Sequence, residues 1–201
     1  DVSAASSLED FFGTPQIPRQ EIGASSQSSA PWLAIWQEAR RYAAAGDYAA
    51  ARSAYARLLE IKGNLAEARW EFAALLLSGH EFDQAAGLLE MLLEEFPERV
   101  EYLNGLGYVM QKKGHFDRAV ELFDRAAGHD PANIVALSGI SEGLLALGNL
   151  GRALPRLEEL NERQVDDVVL QKRLVCLYLE LQLASKARPL AVRLAERSDA
   201  S

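Results

Sequence analysis

Few side chains in this chain are spaced for chemistry. A general base needs a partner that orients it, and a zinc ion needs ligands in close pairs. The histidines are His80, His115 and His129. The first two stand in or beside glycine-marked turns, and the third closes an apolar-periodic stretch, where a basic side chain suits a helix dipole. No two of them have zinc spacing. The carboxylate pairs Glu94-Glu95 and Glu158-Glu159 fall on polar stripes and read as solvated faces. Cys176 is the single cysteine, so neither an intrachain disulfide nor a cysteine metal site is available. With no histidine near it in sequence, it reads as a buried structural thiol. No glycine-rich phosphate loop follows a strand pattern. The residues point to no catalytic side chain, no metal and no cofactor.

What remains is a set of binding-type side chains: Trp36, Arg40, Trp70 and Tyr108. Trp, Tyr and Arg dominate interface hot spots because each offers a large, desolvatable surface with a polar handle. Composition narrows the partner. The chain has 201 residues, 49% hydrophobic and 25% charged, an ordinary globular mixture. Its net charge of -8 argues against nucleic acid, whose affinity comes mostly from cations meeting phosphates. It argues equally against an anionic membrane surface. No apolar run reaches the roughly 18 residues that a bilayer requires, so no membrane insertion is expected.

The elements that position these side chains follow from an internal repeat. Ala51, Ala85, Ala119, Ala153 and Ala187 are spaced by 34 residues. Four positions beyond each stand Tyr55, Leu89, Phe123, Leu157 and Ala191, and three before each stand Tyr48, Phe82, Phe116, Leu150 and Ala184. Apolar spacing of three and four residues makes each half-unit an amphipathic helix. The turn signals are Gly46-Asp47, Gly79-His80, Gly114-His115 and Gly148-Asn149, with Leu181-Gln182-Leu183 the weakest. First helices are predicted near 32–45, 66–78, 100–113, 134–147 and 168–181. Second helices are predicted near 49–62, 83–95, 117–129, 151–163 and 185–197. Asp83 and Asp117 are placed to cap the second helices of their units or to favour their dipoles. Pro155 and Pro189 are read as bends in or near a first helical turn. A lone hairpin cannot bury both apolar stripes, whereas stacked hairpins can, so the expected architecture is all-α, an α-solenoid.

The pattern resembles the tetratricopeptide repeat family. The third unit carries the resemblance best, with Leu103, Leu106-Gly107, Met110, Ala119, Phe123, Ala126 and Pro131. The first unit adds Ala39, Tyr42, Gly46-Asp47-Tyr48, Ala51 and Tyr55. It covers units 32–65, 66–99, 100–133, 134–167 and 168–201. Departures are Gly63 and Val165 in the proline column and Gln182-Leu183 in the last turn.

The resemblance implies a right-handed superhelix whose concave face, lined by the first helices, binds a protein or peptide. The inward columns are Trp36, Trp70, Asn104, Ser138 and Lys172, and one turn on, Arg40, Ala74, Tyr108, Glu142 and Cys176. The expected groove is therefore Trp36, Arg40, Trp70, Asn104, Tyr108, Ser138, Glu142 and Lys172. The family's carboxylate clamp needs a Lys and Asn pattern. The columns Trp36/Arg40, Trp70/Ala74 and Glu101/Gly105 lack it, so a chaperone-tail co-chaperone is rejected.

Residues 1–31 form a Ser-, Ala- and Pro-containing tail read as linker. Leu8, Phe11 and Phe12, with Glu9-Asp10 between them, stand out as either a hydrophobic pin or a docking peptide for a groove, its own or a neighbour's. Two readings follow. One is a non-catalytic scaffold that binds a peptide or partner protein in the concave groove. The other is a structural, self-associating module with its groove filled by an N-terminal tail, regulating an attached domain. A homo-oligomer would form through the tail or the C-terminal end, where Arg188 replaces an apolar column but Leu190 and Leu194 remain. The start at Asp1 and the stop after the fifth unit read as a processed or excised fragment. An Arg-, Ala- and Leu-rich composition and a Ser-rich lead are similar to bacterial envelope scaffolds of exopolysaccharide synthesis or secretion. That analogy favours the periplasm, with cytoplasmic regulation as the rival.

Overall fold

Small and large residues alternate along this chain in a way that only stacked helical pairs can satisfy. The structure, a computed structural model, describes residues 31–198. Among the described residues there are ten helices and no strand. They are α1 (Pro31–Ala44), α2 (Tyr48–Ile61), α3 (Ala66–Ser78), α4 (Phe82–Glu95) and α5 (Val100–Lys112). Then follow α6 (Phe116–His129), α7 (Ile134–Ala146), α8 (Leu150–Arg163), α9 (Val168–Glu180) and α10 (Ala184–Ser198). Each expected helix is present, with ends shifted by at most one residue. Helices pack in chain order, and α5 also reaches α7, so first helices of successive hairpins touch.

The alanine column explains the closeness of the pairs. Ala51, Ala85, Ala119 and Ala153 are fully buried and Ala187 nearly so. A buried methyl at each hairpin lets the two backbones approach, and Tyr55, Leu89, Phe123 and Leu157 fill the space behind. Phe123 also needs glycine on both sides. A Cβ at Gly107 would meet its ring at 3.0 Å, and one at Gly139, in the next hairpin, at 2.4 Å. One hydrophobic core runs from α1 through α7 to Ala153 of α8, and a second, centred on Leu157, Leu160, Leu170, Leu174 and Leu177, joins the last two hairpins.

The turns within hairpins repeat a single backbone device. Gly46, His80, Gly114, Gly148 and Gln182 all adopt positive φ, between 58° and 79°. In the second hairpin the left-handed residue is therefore His80, one position after the glycine. Gly79 has φ -85° and serves space instead, since a Cβ there would sit 2.2 Å from the Tyr48 ring. Side-chain caps come from Asp47, Asn133 and Asp167, which accept from Ala50, Ala136 and Leu170 N–H groups. Asp83 and Asp117 lie inside the first turns of α4 and α6, where they complement the dipole. The cap positions themselves are Glu81 and His115. Pro155 and Pro189 each stand sixth in their helices, beyond the first turn. Both helices continue through them.

Junctions between hairpins are of two kinds. Where the column holds Pro97 or Pro131, the buried residue six positions on is Leu103 or Leu137. The proline carbonyls then accept from Arg125 and Arg163, which reach from second helices. Where the column holds Gly63 or Val165, the residue six positions on is Arg69 or Gln171, both buried. Each donates back to that carbonyl: Arg69 Nε to Gly63 O at 2.6 Å, and Gln171 Nε2 to Val165 O. Arg69 also pairs with Glu95 at 2.7 Å. A proline's rigidity is thus replaced by a side-chain latch.

Candidate partner-binding face

The first helices α1, α3, α5, α7 and α9 carry the expected columns, and the structure separates their members. At the amino end, Trp36 and Arg40 project from adjacent turns of α1, with the Arg40 guanidinium 4.3 Å from the Trp36 ring centre. Both converge on Glu71 of α3. Trp36 Nε1 donates to its carboxylate at 2.6 Å, Arg40 Nε at 2.9 Å, and the Arg40 Nη2 forms an ion pair with it. Tyr55 of α2 donates from below at 3.0 Å. Burial is the largest influence on the Tyr55 phenol, followed by the Glu71 charge, and the phenol is held neutral far above its usual range. The Arg40 guanidinium is held still more firmly protonated by its hydrogen bond to Glu71. This end of the face is therefore a closed knot. Trp36 is partly buried, and Arg40, although half exposed, spends its donors on Glu71.

Two expected groove residues do not lie on the open face. Trp70 is 2% exposed. It slides beneath α5, its ring 5.2 Å from Tyr102, and the missing Cβ of Gly105 gives it room. Asn104 is 4% exposed and donates to Asn133 Oδ1 at 3.0 Å, tying α5 to the cap of α7. The physical reason is the same for both: this column faces the next hairpin in the middle of the stack. Cys176, expected to be buried, is exposed.

The rest of the face stays accessible. Tyr108 is half-buried, with Lys112 Nζ 5.0 Å from its ring centre, and Ser138 on α7 is half-buried too. Glu142 accepts from Gln111 Nε2 at 2.7 Å and from Arg173 Nη1 at 3.2 Å, bridging three first helices. Lys172 is exposed. Lys172, Arg173 and Cys176 border a depression of about 410 Å³ between α7 and α9, floored by Leu145 and Leu177 and flanked by Val169 and Glu180. Val169 is 64% exposed. The expected Leu8, Phe11 and Phe12 docking segment lies outside the described residues.

Glu71 escaped the sequence reading. Its signal was an acid set between two aromatics, Trp70 and Phe72. Glu95, Glu158 and Glu159, read as solvated, each hold a cation: Arg69, Lys186, and both Arg156 and Arg163. The Glu158 carboxyl is held below its usual range, first by its hydrogen bond from Lys186 and then by one from Tyr178, while burial opposes them. No group of three or more metal-type ligands occurs among the described residues. Nor is any described helix long and apolar enough to cross a membrane.

The tetratricopeptide repeat profile matches residues 42–106 and 111–175. The chain belongs to the tetratricopeptide repeat family. No curated protein matched the sequence. Among solved structures, MamA from Desulfovibrio magneticus RS-1, residues 41 to the end, superposes with a TM-score of 0.78 at 12% identity, covering 86% of this chain and 98% of that one. A MamA AMB-1 structure gives 0.74 at 17% identity, covering 85% and 93%. A further MamA protein gives 0.76 at 14% identity, covering 84% and 92%. These likenesses show the fold, a right-handed tetratricopeptide superhelix. Such an array is a scaffold for protein–protein contact, with its first helices forming one extended surface.

Proposed function

We propose that this tetratricopeptide array is a non-catalytic scaffold that captures a peptide or partner protein along its first-helix face. One observation carries the reading. After ten helices have packed, Tyr108 of α5, Glu142 of α7 and Lys172 of α9 remain at least partly accessible, and α9 with Leu145 of α7 borders an open apolar depression. The capturing surface is thus the carboxyl-terminal half of the face, with Tyr108, Ser138, Glu142 and Lys172. Trp36 and Arg40 shape its amino-terminal rim. A bacterial envelope setting, in exopolysaccharide synthesis or secretion, fits the composition and the Ser-rich lead by analogy.

The test compares the intact array with a Tyr108→Ala/Lys172→Glu variant of equal thermal stability as capture reagents. A polypeptide retained by the first and lost from the second supports the reading. Identical retention by both overturns it.

A further inference from the structure

The α7–α9 depression differs from two other hollows among the described residues. The hollow beside Pro155 interleaves Asp124 and Glu159 with Arg152 and Arg156, and the one beside Val165 has a single apolar side chain among Gln171, Arg193, Glu196 and Arg197. The α7–α9 depression instead offers Leu145, Val169, Cys176 and Leu177 as a continuous apolar strip. Its charges are graded. Lys172 forms no ion pair with any described residue, Arg173 leans on Glu142, and Glu180 stands at the far end, one helical turn beyond Cys176. The fitting ligand is an apolar, aromatic-rich stretch of chain with carboxylates that can meet Lys172.

This chain contains such a stretch. Leu8-Glu9-Asp10-Phe11-Phe12 places two carboxylates among three large apolar side chains, and residues 1–12 hold Asp1, Glu9 and Asp10 with no cation. Phe12 precedes Pro31 by 19 residues. An extended chain covers at most about 3.3–3.6 Å per residue, hence about 60 Å. From α1 to α9 there are four first-helix steps, each of about 8–10 Å, hence about 40 Å. The segment reaches. Attachment to the same chain also raises the effective concentration of the segment, so even a weak seat is filled from within.

We infer that Leu8–Phe12 docks in the α7–α9 depression of its own chain, with Phe11 and Phe12 on the strip and the carboxylates toward Lys172. On the capture reading above, the docked segment and an outside partner would compete for Lys172.

Cys176 reports on this directly, because it lines the depression and is the single cysteine. The measured quantity is the rate at which an aromatic disulfide reagent modifies it, with no outside partner present, so the outcome is independent of the capture reading above. The full chain should react several-fold more slowly than a Phe11→Ser/Phe12→Ser variant. A synthetic peptide of residues 1–14 should restore the slow rate to a chain lacking residues 1–12. Equal rates overturn the proposal. In a Lys172→Glu background the difference should shrink, and an undiminished difference overturns the assigned seat. Protection should be constant over a tenfold range of protein concentration. Protection that grows with concentration overturns the own-chain assignment in favour of a second copy's tail.

Discussion

The Phe123 ring of α6 occupies the volume that a side chain at Gly139 of α7 would take, 2.4 Å from where the Cβ would stand. The ring is fully buried and flanked on its other side by Gly107, so it has no direction in which to yield. Gly139→Ala should therefore destabilise. Overpacking of a filled core costs about 1–3 kcal/mol, which outweighs the roughly 1 kcal/mol that alanine gains over glycine in a helix. Gly87 is the counterexample: it lies within α4, is exposed, and a Cβ there meets nothing within 4 Å. Gly87→Ala should stabilise by about 1 kcal/mol. Denaturant midpoints of the two variants should move in opposite directions.

Glu71 and Arg40 share an ion pair but should respond unequally to truncation. Arg40 is 54% exposed at its side chain, and its loss should cost about 0–1 kcal/mol. Glu71→Ala strands the Trp36 indole N–H and the Tyr55 hydroxyl as well, and should cost about 1–3 kcal/mol. Thermal unfolding of the two single variants checks the order, and a larger loss from Arg40→Ala would contradict it.

Tyr48 and Tyr178 set an alkaline limit. Both phenols are pushed up to about 12, first by burial and then by the hydrogen bonds they donate to Glu81 and Glu158. Their ordinary value is 10.0. Above that value the unfolded chain releases phenolic protons that the folded chain keeps, so stability falls as pH rises from 10 through about 12. Below pH 10 the contribution is fully present. Tyr48→Phe/Tyr178→Phe should reduce the pH dependence of the denaturant midpoint in this window, with the raised Tyr55 and Tyr102 phenols supplying what remains.

The fold was legible because its demands are local and periodic. Ala51 through Ala187 mark the close approaches, and Gly46, Gly114 and Gly148 mark left-handed turns that any other residue would strain. The face was less legible. Neighbouring positions on a helix differ by about 100° of rotation, and whether Trp70 faces solvent or the next hairpin depends on a residue elsewhere, Gly105, that makes room for it. Asn104 faces inward for a similar reason, since its partner Asn133 belongs to the following junction. Cys176 is exposed because it lines the open depression between α7 and α9.

The linear order of the hairpins is inscribed at their seams. Exchanging the second unit for the third would bring a leucine to Gly63, leaving that carbonyl without its donor, and would drive an arginine under Pro131. Shuffling by duplication or excision is therefore tolerated only when matched seam residues travel together, which makes this array a sentence with fixed word order rather than a string of identical beads.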